Sequence, residues 1–255
     1  MPRTRVNGHD LYYEEHGSGD ALALLHGDYE CTRYWAAQAA YFAPRYRVVR
    51  YDRHGYGRSS PRAELPPDFY DQDAADLMAL LDHLEIDAAR LVGHSGGGTA
   101  ALLAAAGYPN RVRSVVTSGS HVYVEDITLT YIRDFIQALA EPDGPVRRAG
   151  EACHGARWRE VAAMFTGRWL DPAWRGWTIV PALAAIRCPT LLLQGTRDGT
   201  ATLEQFASMA GAIRGSRTVL VEGGGHVIHR RLAGLFNRQV QEFLSSIKPD
   251  NDVCD

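Results

Sequence analysis

The chain has 255 residues, 45% of them hydrophobic, which is enough for one sizeable core, and 27 basic against 30 acidic side chains leave a formal charge of −3. The arginines are scattered, so nothing points to nucleic acid or to an anionic membrane surface as a partner. Met1-Pro2-Arg3-Thr4-Arg5 holds no apolar secretory core and no apolar run is long enough to span a bilayer, so a cytoplasmic setting is expected.

Asn7-Gly8, between Thr4–Val6 and Leu11–Tyr13, reads as a hairpin turn. Ala21–Leu25 reads as a short buried strand ending at His26-Gly27, Thr32–Phe42 as a helix and Tyr46–Tyr51 as a strand. Over Asp68–Leu84 the apolar residues Ala74, Leu77, Leu80, Leu81 and Leu84 recur at helical spacing. Ala88–Val92 and Arg113–Ser118 are strands, with a small-residue helix over Thr99–Ala106 between them. From Val122 to Ile186 the rhythm breaks: helical patterns, turn residues and four of the five tryptophans, Trp158, Trp169, Trp174 and Trp177, fall there. Alternation then resumes with a strand at Thr190–Gln194, a helix at Leu203–Ala212, a strand at Thr218–Val221 and a helix at Leu232–Leu244. Strands alternating with helices predict a mostly parallel central sheet with helices on both faces.

Cys31, Cys153, Cys188 and Cys254 show neither Cys-x-x-Cys nor zinc-ligand spacing. Free thiols in a reducing cytosol are expected, with Cys188 in the core and Cys254 exposed in a frayed polar tail from Lys248 to Asp255. No Gly-rich phosphate loop, dinucleotide fingerprint or metal cluster is legible, so neither cofactor nor metal is expected.

The most informative stretch is Gly93-His94-Ser95-Gly96-Gly97. A strand runs into it and a helix leaves it, so Ser95 sits at the apex of a sharp turn that demands small neighbours, here Gly93 and Gly97. A serine nucleophile needs a base, and the base an orienting acid. In parallel sheets functional groups gather at the carboxyl ends of strands. Asp198 follows the strand at Thr190–Gln194, and His226 follows Thr218–Val221 and a glycine run. Asp171 and Asp126 are weaker alternatives for the acid and His229 for the base, while His94 is expected to be structural.

With these residues placed, the chain resembles the α/β-hydrolase superfamily, in its compact esterase, lactonase and cofactor-free haloperoxidase-like branch. Leu24-Leu25-His26-Gly27 is similar to that family's oxyanion loop, and Tyr51-Asp52-Arg53-His54-Gly55-Tyr56-Gly57-Arg58-Ser59 to its Asp-x-Arg-Gly-x-Gly-x-Ser segment. The resemblance implies an α/β-hydrolase fold with residues 1–121 and 187–255 as core and residues 122–186 as a small helical cap. It implies a Ser95–His226–Asp198 triad, an oxyanion hole from the backbone N–H groups of Gly96 and Asp28, and a bracing role for His26.

Two positions depart from the family pattern. Gly96 replaces a bulky residue, and Asp28 puts a carboxylate where a developing oxyanion would be repelled. The Asp28 side chain either points away onto loop N–H groups, binds a substrate hydroxyl or ammonium, or handles a proton; Glu30 is expected to face solvent. His26, Asp28, Tyr123, Trp158 and Trp177 are the candidate substrate-binding residues, with Tyr131 and Phe135 as further cap aromatics that either line a pocket or pack cap on core. The expected activity is hydrolysis of an ester or lactone of a moderately apolar small molecule, by a monomer or homodimer. The alternatives are a carbon–carbon bond hydrolase, a hydrolase-like ligand receptor or regulator, and a lyase or cyclase reusing the pocket.

Overall fold

The computed structural model describes residues 2–247. In chain order the elements are β1 (Arg3–Val6), β2 (His9–His16), β3 (Ala21–Leu25), α1 (Ala36–Phe42), β4 (Arg47–Tyr51), α2 (Phe69–His83), β5 (Ala89–His94), α3 (Gly96–Gly107) and β6 (Val112–Ser118). They continue with α4 (Asp126–Ala140), α5 (Pro145–His154), α6 (Trp158–Leu170), α7 (Val180–Leu183), β7 (Thr190–Gly195), α8 (Leu203–Ala212), β8 (Arg217–Val221), α9 (Ile228–Arg231) and α10 (Ala233–Ser246).

The strands form one sheet in the order β1-β2-β4-β3-β5-β6-β7-β8. The β1–β2 hairpin forms at Asn7-Gly8 as expected, and β2 joins β4 antiparallel; every pairing from β4 to β8 is parallel. Buried on both faces, β3 and β7 are the continuous apolar runs that a covered parallel strand requires. One face carries α1 and α10, with Trp35, Phe42, Phe236 and Val240 in its core. The other carries α2 and α3, whose Phe69, Leu77, Leu81 and Leu102 form the larger core. Helix α3 is almost wholly buried, and its run of glycine and alanine lets it lie close to β5, β6 and α2.

Two expected helices differ from the pattern. The one expected over Thr32–Phe42 opens as a 3-10 turn, Thr32–Trp35, before α1. The one over Leu232–Leu244 is two pieces, because Leu232, with φ −127°, breaks the helix between α9 and α10.

Helices α4, α5, α6 and α7 lie between β6 and β7. The two ends of this segment meet at a bridge between Tyr123 and Thr178, reinforced by the Ile179 N–H donating to Val122 O at 2.9 Å. Helix α5 and the turn after it, Gly155–Arg157, are tied to the rest of the chain by several bonds. His154 Nδ1 accepts the Gly57 N–H at 2.9 Å, Arg33 donates to Ala152 O at 2.9 Å, and Arg157 donates to Gly57 O at 2.8 Å.

The strongest tie corrects the expectation of free thiols. Cys31, in the loop after β3, and Cys153, on α5, form a disulfide with Cα atoms 5.7 Å apart. Cys188 is free and half-buried rather than in the core, and burial pushes its thiol up to about 11. Cys254 and the tail from Lys248 lie outside the described residues.

The bridge closes a loop of 122 residues. Of the four cysteines, two should therefore react with a thiol reagent in denaturant without reductant, and all four after reduction. Cys153→Ser should lower the unfolding free energy by about 2–4 kcal/mol in a urea titration. Four reactive thiols before reduction would refute the pairing.

His154 gives a pH prediction. Burial, with Arg157 adding to it, lowers its pKa from 6.5 to about 4. Between those values the unfolded chain takes up a proton that the folded chain refuses. Stability is therefore intact above 6.5 and falls as pH drops toward 4, by about 2 kcal/mol at pH 5. Melting curves at pH 7 and pH 5 should show this loss, and His154→Gln should show a smaller one.

Candidate active site

Ser95 links β5 to α3 and adopts φ 51°, ψ −126°, a sparsely populated backbone region that costs of order 1–3 kcal/mol and persists only where the surroundings impose it. Its N–H is held by Ser118 O at 2.9 Å. The small neighbours are obligatory: a Cβ on Gly93 would lie 2.5 Å from Gly97 O, and one on Gly97 2.3 Å from Leu25 O.

Asp198 and His226 meet beside it. His226 Nδ1 lies 2.9 Å from Asp198 Oδ2, and the Thr200 hydroxyl and N–H each donate to Asp198 Oδ1 at 2.8 Å. Burial alone would raise the Asp198 pKa, but His226 and Thr200 outweigh it and hold the carboxyl at about 2. Burial likewise opposes the imidazolium of His226, and Asp198 overcomes it, raising the pKa. Ser95 and His226 line one cavity of about 660 Å³. No hydrogen bond joins Ser95 Oγ to His226 among the described residues; without substrate such contacts are commonly long.

The alternatives are occupied elsewhere. Asp171 pairs with Arg168 and caps a short turn, and Asp126 pairs with Arg175 at the surface. His229 is fully buried against Trp35, with ring centroids 4.6 Å apart. His94 Nδ1 is 3.0 Å from Ser118 O, in line with the structural role expected for it.

The loop after β3 is braced as expected. His26 Nδ1 donates to Gly27 O at 2.7 Å, and its Nε2 accepts the Arg53 N–H at 2.9 Å. Glu30 does not face solvent. It is 7% exposed, and its Oε2 accepts the Gly27 N–H at 2.8 Å. Burial pushes its carboxyl up to about 7.

Asp28 is turned neither to solvent nor to loop N–H groups. Its Oδ1 is paired with the buried Arg53 guanidinium and lies 3.3 Å from the Tyr56 hydroxyl. Its Oδ2 accepts from the Tyr70 hydroxyl at 2.8 Å and from Trp169 Nε1 at 3.4 Å. Arg53 is shared with Asp73 on α2, at 2.7 Å. Burial raises the Asp73 pKa to about 6, against the pull of Arg53 and Arg62. The two departures from the family pattern are thus one feature. A Cβ on Gly96 would stand 2.4 Å from Asp28 Oδ1, so the Asp28 carboxylate fills the space that a side chain at 96 would need.

Of the candidate substrate-binding residues, Asp28 lines the cavity and His26, Tyr123, Trp158 and Trp177 do not. Trp158 is covered by Arg159, 4.2 Å from its ring, while Trp177 stacks on Trp174 at 4.6 Å and meets Tyr70 of α2 at 5.5 Å, packing the inserted segment onto the core. From the inserted segment Tyr131, Phe135, Phe165 and Trp169 reach the cavity, and Tyr29 and Tyr34 line it from the chain after β3. In the sequence no role falls to Arg53, Tyr70 or Thr200, and Glu30 is expected in solvent. Arg53 alone had a signal, its place in the Tyr51–Ser59 segment.

The description "alpha/beta hydrolase fold" belongs to the family model matching residues 20–150, and that of a TAP-like protein matches residues 168–254. The serine hydrolase BPHL of Mus musculus is 31% identical over 95% of this chain and 85% of its own. The chain belongs to the α/β-hydrolase fold family. An (E)-2-((N-methylformamido)methylene)succinate hydrolase of Acinetobacter baylyi is 25% identical over 94% of this chain and 96% of its own. The enol-lactonase of Burkholderia xenovorans superposes with a TM-score of 0.76 at 25% identity, over 96% of this chain and all of that one. Among the described residues no helix is long and apolar enough to cross a membrane.

The shared space of Asp28 and Gly96 calls for a double-mutant cycle. Gly96→Ala should destabilise by about 1–3 kcal/mol through overpacking, and Asp28→Ala by more, because it takes the acceptor from buried donors on Arg53, Tyr70 and Trp169. The double variant should lose less than the sum of the two, measured by urea unfolding. Strict additivity would mean that the two side chains do not compete for one space.

Proposed function

We propose that the protein is a serine hydrolase that cleaves an ester or lactone of a moderately apolar small molecule through Ser95, His226 and Asp198. The observation that carries this reading is the strained Ser95 turn opening into the same cavity as the Asp198–His226 pair. His226 takes the proton of Ser95 as its Oγ attacks the carbonyl, and Asp198 holds the imidazole tautomer and supports the imidazolium. The oxyanion is received by the N–H groups of Asp28 and Gly96. The latter heads α3, where N–H groups lack helical partners and the helix dipole favours negative charge. The Asp28 carboxylate opposes this less than a free one would, because Arg53, Tyr56 and Tyr70 are bonded to it. His226 then protonates the leaving group and activates water against the acyl-enzyme.

Residues 122–186 act as the cap over a core of residues 1–121 and 187–255. Tyr131, Ile132, Phe135, Val146, Phe165 and Trp169 supply an apolar wall, and about 660 Å³ suits a small molecule rather than a polymer. Within the α/β-hydrolase family this wall favours a carbonyl compound with an apolar acyl or alcohol part.

Ser95→Ala should lower kcat on a p-nitrophenyl ester by about 10⁴-fold or more with the melting temperature kept. A serine-directed phosphonate should label Ser95 alone. Activity retained by Ser95→Ala would remove the nucleophile. A single turnover without cycling would favour a receptor over an enzyme.

Phe135→Ala should change the ratio of kcat/KM between short and long acyl chains by about 1–3 kcal/mol. Trp158→Ala, off the cavity, should leave that ratio unchanged. An equal effect of both variants would count against this assignment of the wall.

A further inference from the structure

Behind the proposed triad lies a second cluster that the hydrolytic chemistry does not use. Glu30, from the loop after β3, His94, the last residue of β5, and His229, on α9, each offer a ligand atom, all within 4.8 Å of one another, and all three side chains are buried. His94 Nδ1 donates to Ser118 O, which leaves the Nε2 lone pair free. A backbone carbonyl on one ring nitrogen is a common way to aim the other at a metal. That Nε2 stands 3.8 Å from Glu30 Oε1, while Glu30 Oε2 is anchored by the Gly27 N–H. Neither ring nitrogen of His229 has a hydrogen-bond partner among the described residues, although the residue is 0% exposed. An unpaired buried imidazole is costly, and a cation would satisfy it.

We infer that Glu30, His94 and His229 form a binding site for one divalent transition-metal ion of the zinc type. Tetrahedral zinc with N and O ligands places ligand atoms about 3.4 Å apart, so the observed separations need close by only a few tenths of an ångström to somewhat over one. Two imidazoles and one carboxylate select a transition metal over calcium or magnesium, which prefer oxygen ligands. Glu30 and His94 also line the cavity, which provides an entry path and leaves a fourth coordination position toward it. The three ligands come from the segments that carry the oxyanion loop, Ser95 and, three residues before His229, His226. A bound ion would therefore staple these segments together without joining the bond-breaking step.

A second histidine cluster, His9, His54 and Asp76, serves as the control. There the carboxylate is already taken: His9 Nε2 is 2.8 Å from Asp76 Oδ2, Asn7 holds Asp76 Oδ1, and His54 stacks on the His9 ring at 3.7 Å.

The test is isothermal titration of EDTA-dialysed, full-length protein with zinc chloride, with cobalt(II) absorption as a second readout. One equivalent should bind with a dissociation constant in the micromolar range or below, and zinc should raise the melting temperature. Glu30→Gln and His229→Gln should each weaken binding by about 100-fold or more, while His54→Gln should leave it intact. The two variants remove ligands from different segments, so misfolding of one leaves the other to decide. No saturable binding by the wild type, or binding kept in either folded ligand variant, overturns the site. Because zinc affinity and melting temperature are read independently of esterase turnover, this failure is distinct from failure of the hydrolase reading.

Discussion

The geometry of the carboxyl end of the sheet, where the proposed active site lies, depends on one buried guanidinium. Arg53 is fully buried, yet it spans the carboxylates of Asp28 and Asp73, and its own N–H anchors His26. It thereby connects the loop after β3, the loop after β4 and helix α2. Such an ion pair adds little net stability, since the desolvation of three charges offsets their attraction. Its physical consequence is positional: removing Arg53 would leave two carboxylates unpaired in the core, and with the guanidinium in place the loop holding Asp28 is tied to α2 through Asp73. An oxyanion site gains from this, because donors already fixed need no reorganisation as charge develops.

The same constraint resolves the conflict of a carboxylate next to an oxyanion. A free Asp28 would repel the transition state. With Arg53 on one oxygen and Tyr70 and Trp169 on the other, its acceptor sites are taken, and it becomes a fixed polar wall rather than a spare base. Only glycine at position 96 leaves room for that wall. A member of the family with a bulky residue after its serine would need a small or differently directed residue at 28, so the two positions should change together.

Much of the fold was legible because it rests on local pattern. The alternation of apolar runs with helical periods located all eight strands of the sheet, and the strand-turn-helix around Ser95 and the strand ends before Asp198 and His226 are short-range signals. What was hidden depends on long-range juxtaposition. Cys31 and Cys153 are separated by 122 residues and have no motif spacing, so their bridge was invisible until α5 was seated over the loop after β3. Glu30, His94 and His229 come from three separate segments and none marks the others in sequence. Two of the tryptophans misled for a different reason: a large aromatic fills space wherever packing needs it, and Trp158 and Trp177 pack away from the cavity, while Trp169 and the less conspicuous Tyr131 and Phe135 reach it.

The loop after β3 is held at several points. His26 hydrogen-bonds within it and to the Arg53 N–H, Asp28 pairs with Arg53, Glu30 caps Gly27, and Cys31 is bonded to α5. The last of these reaches the inserted helices covalently, beside the weaker bonds of Asp28 with Trp169 on α6 and of Tyr29 O with His154 on α5. Movement of α5 is therefore transmitted to residues three positions from Asp28 by a covalent bond, whereas α4 and α6 approach the cavity through side-chain packing alone in the case of Phe135 and Phe165, whose rings meet edge to face at 5.5 Å. The α5 side of the cavity therefore cannot shift without carrying the loop after β3 with it, whereas the Tyr131 and Phe135 side is held by packing and by the Thr128 hydroxyl donating to Thr200 O at 2.6 Å.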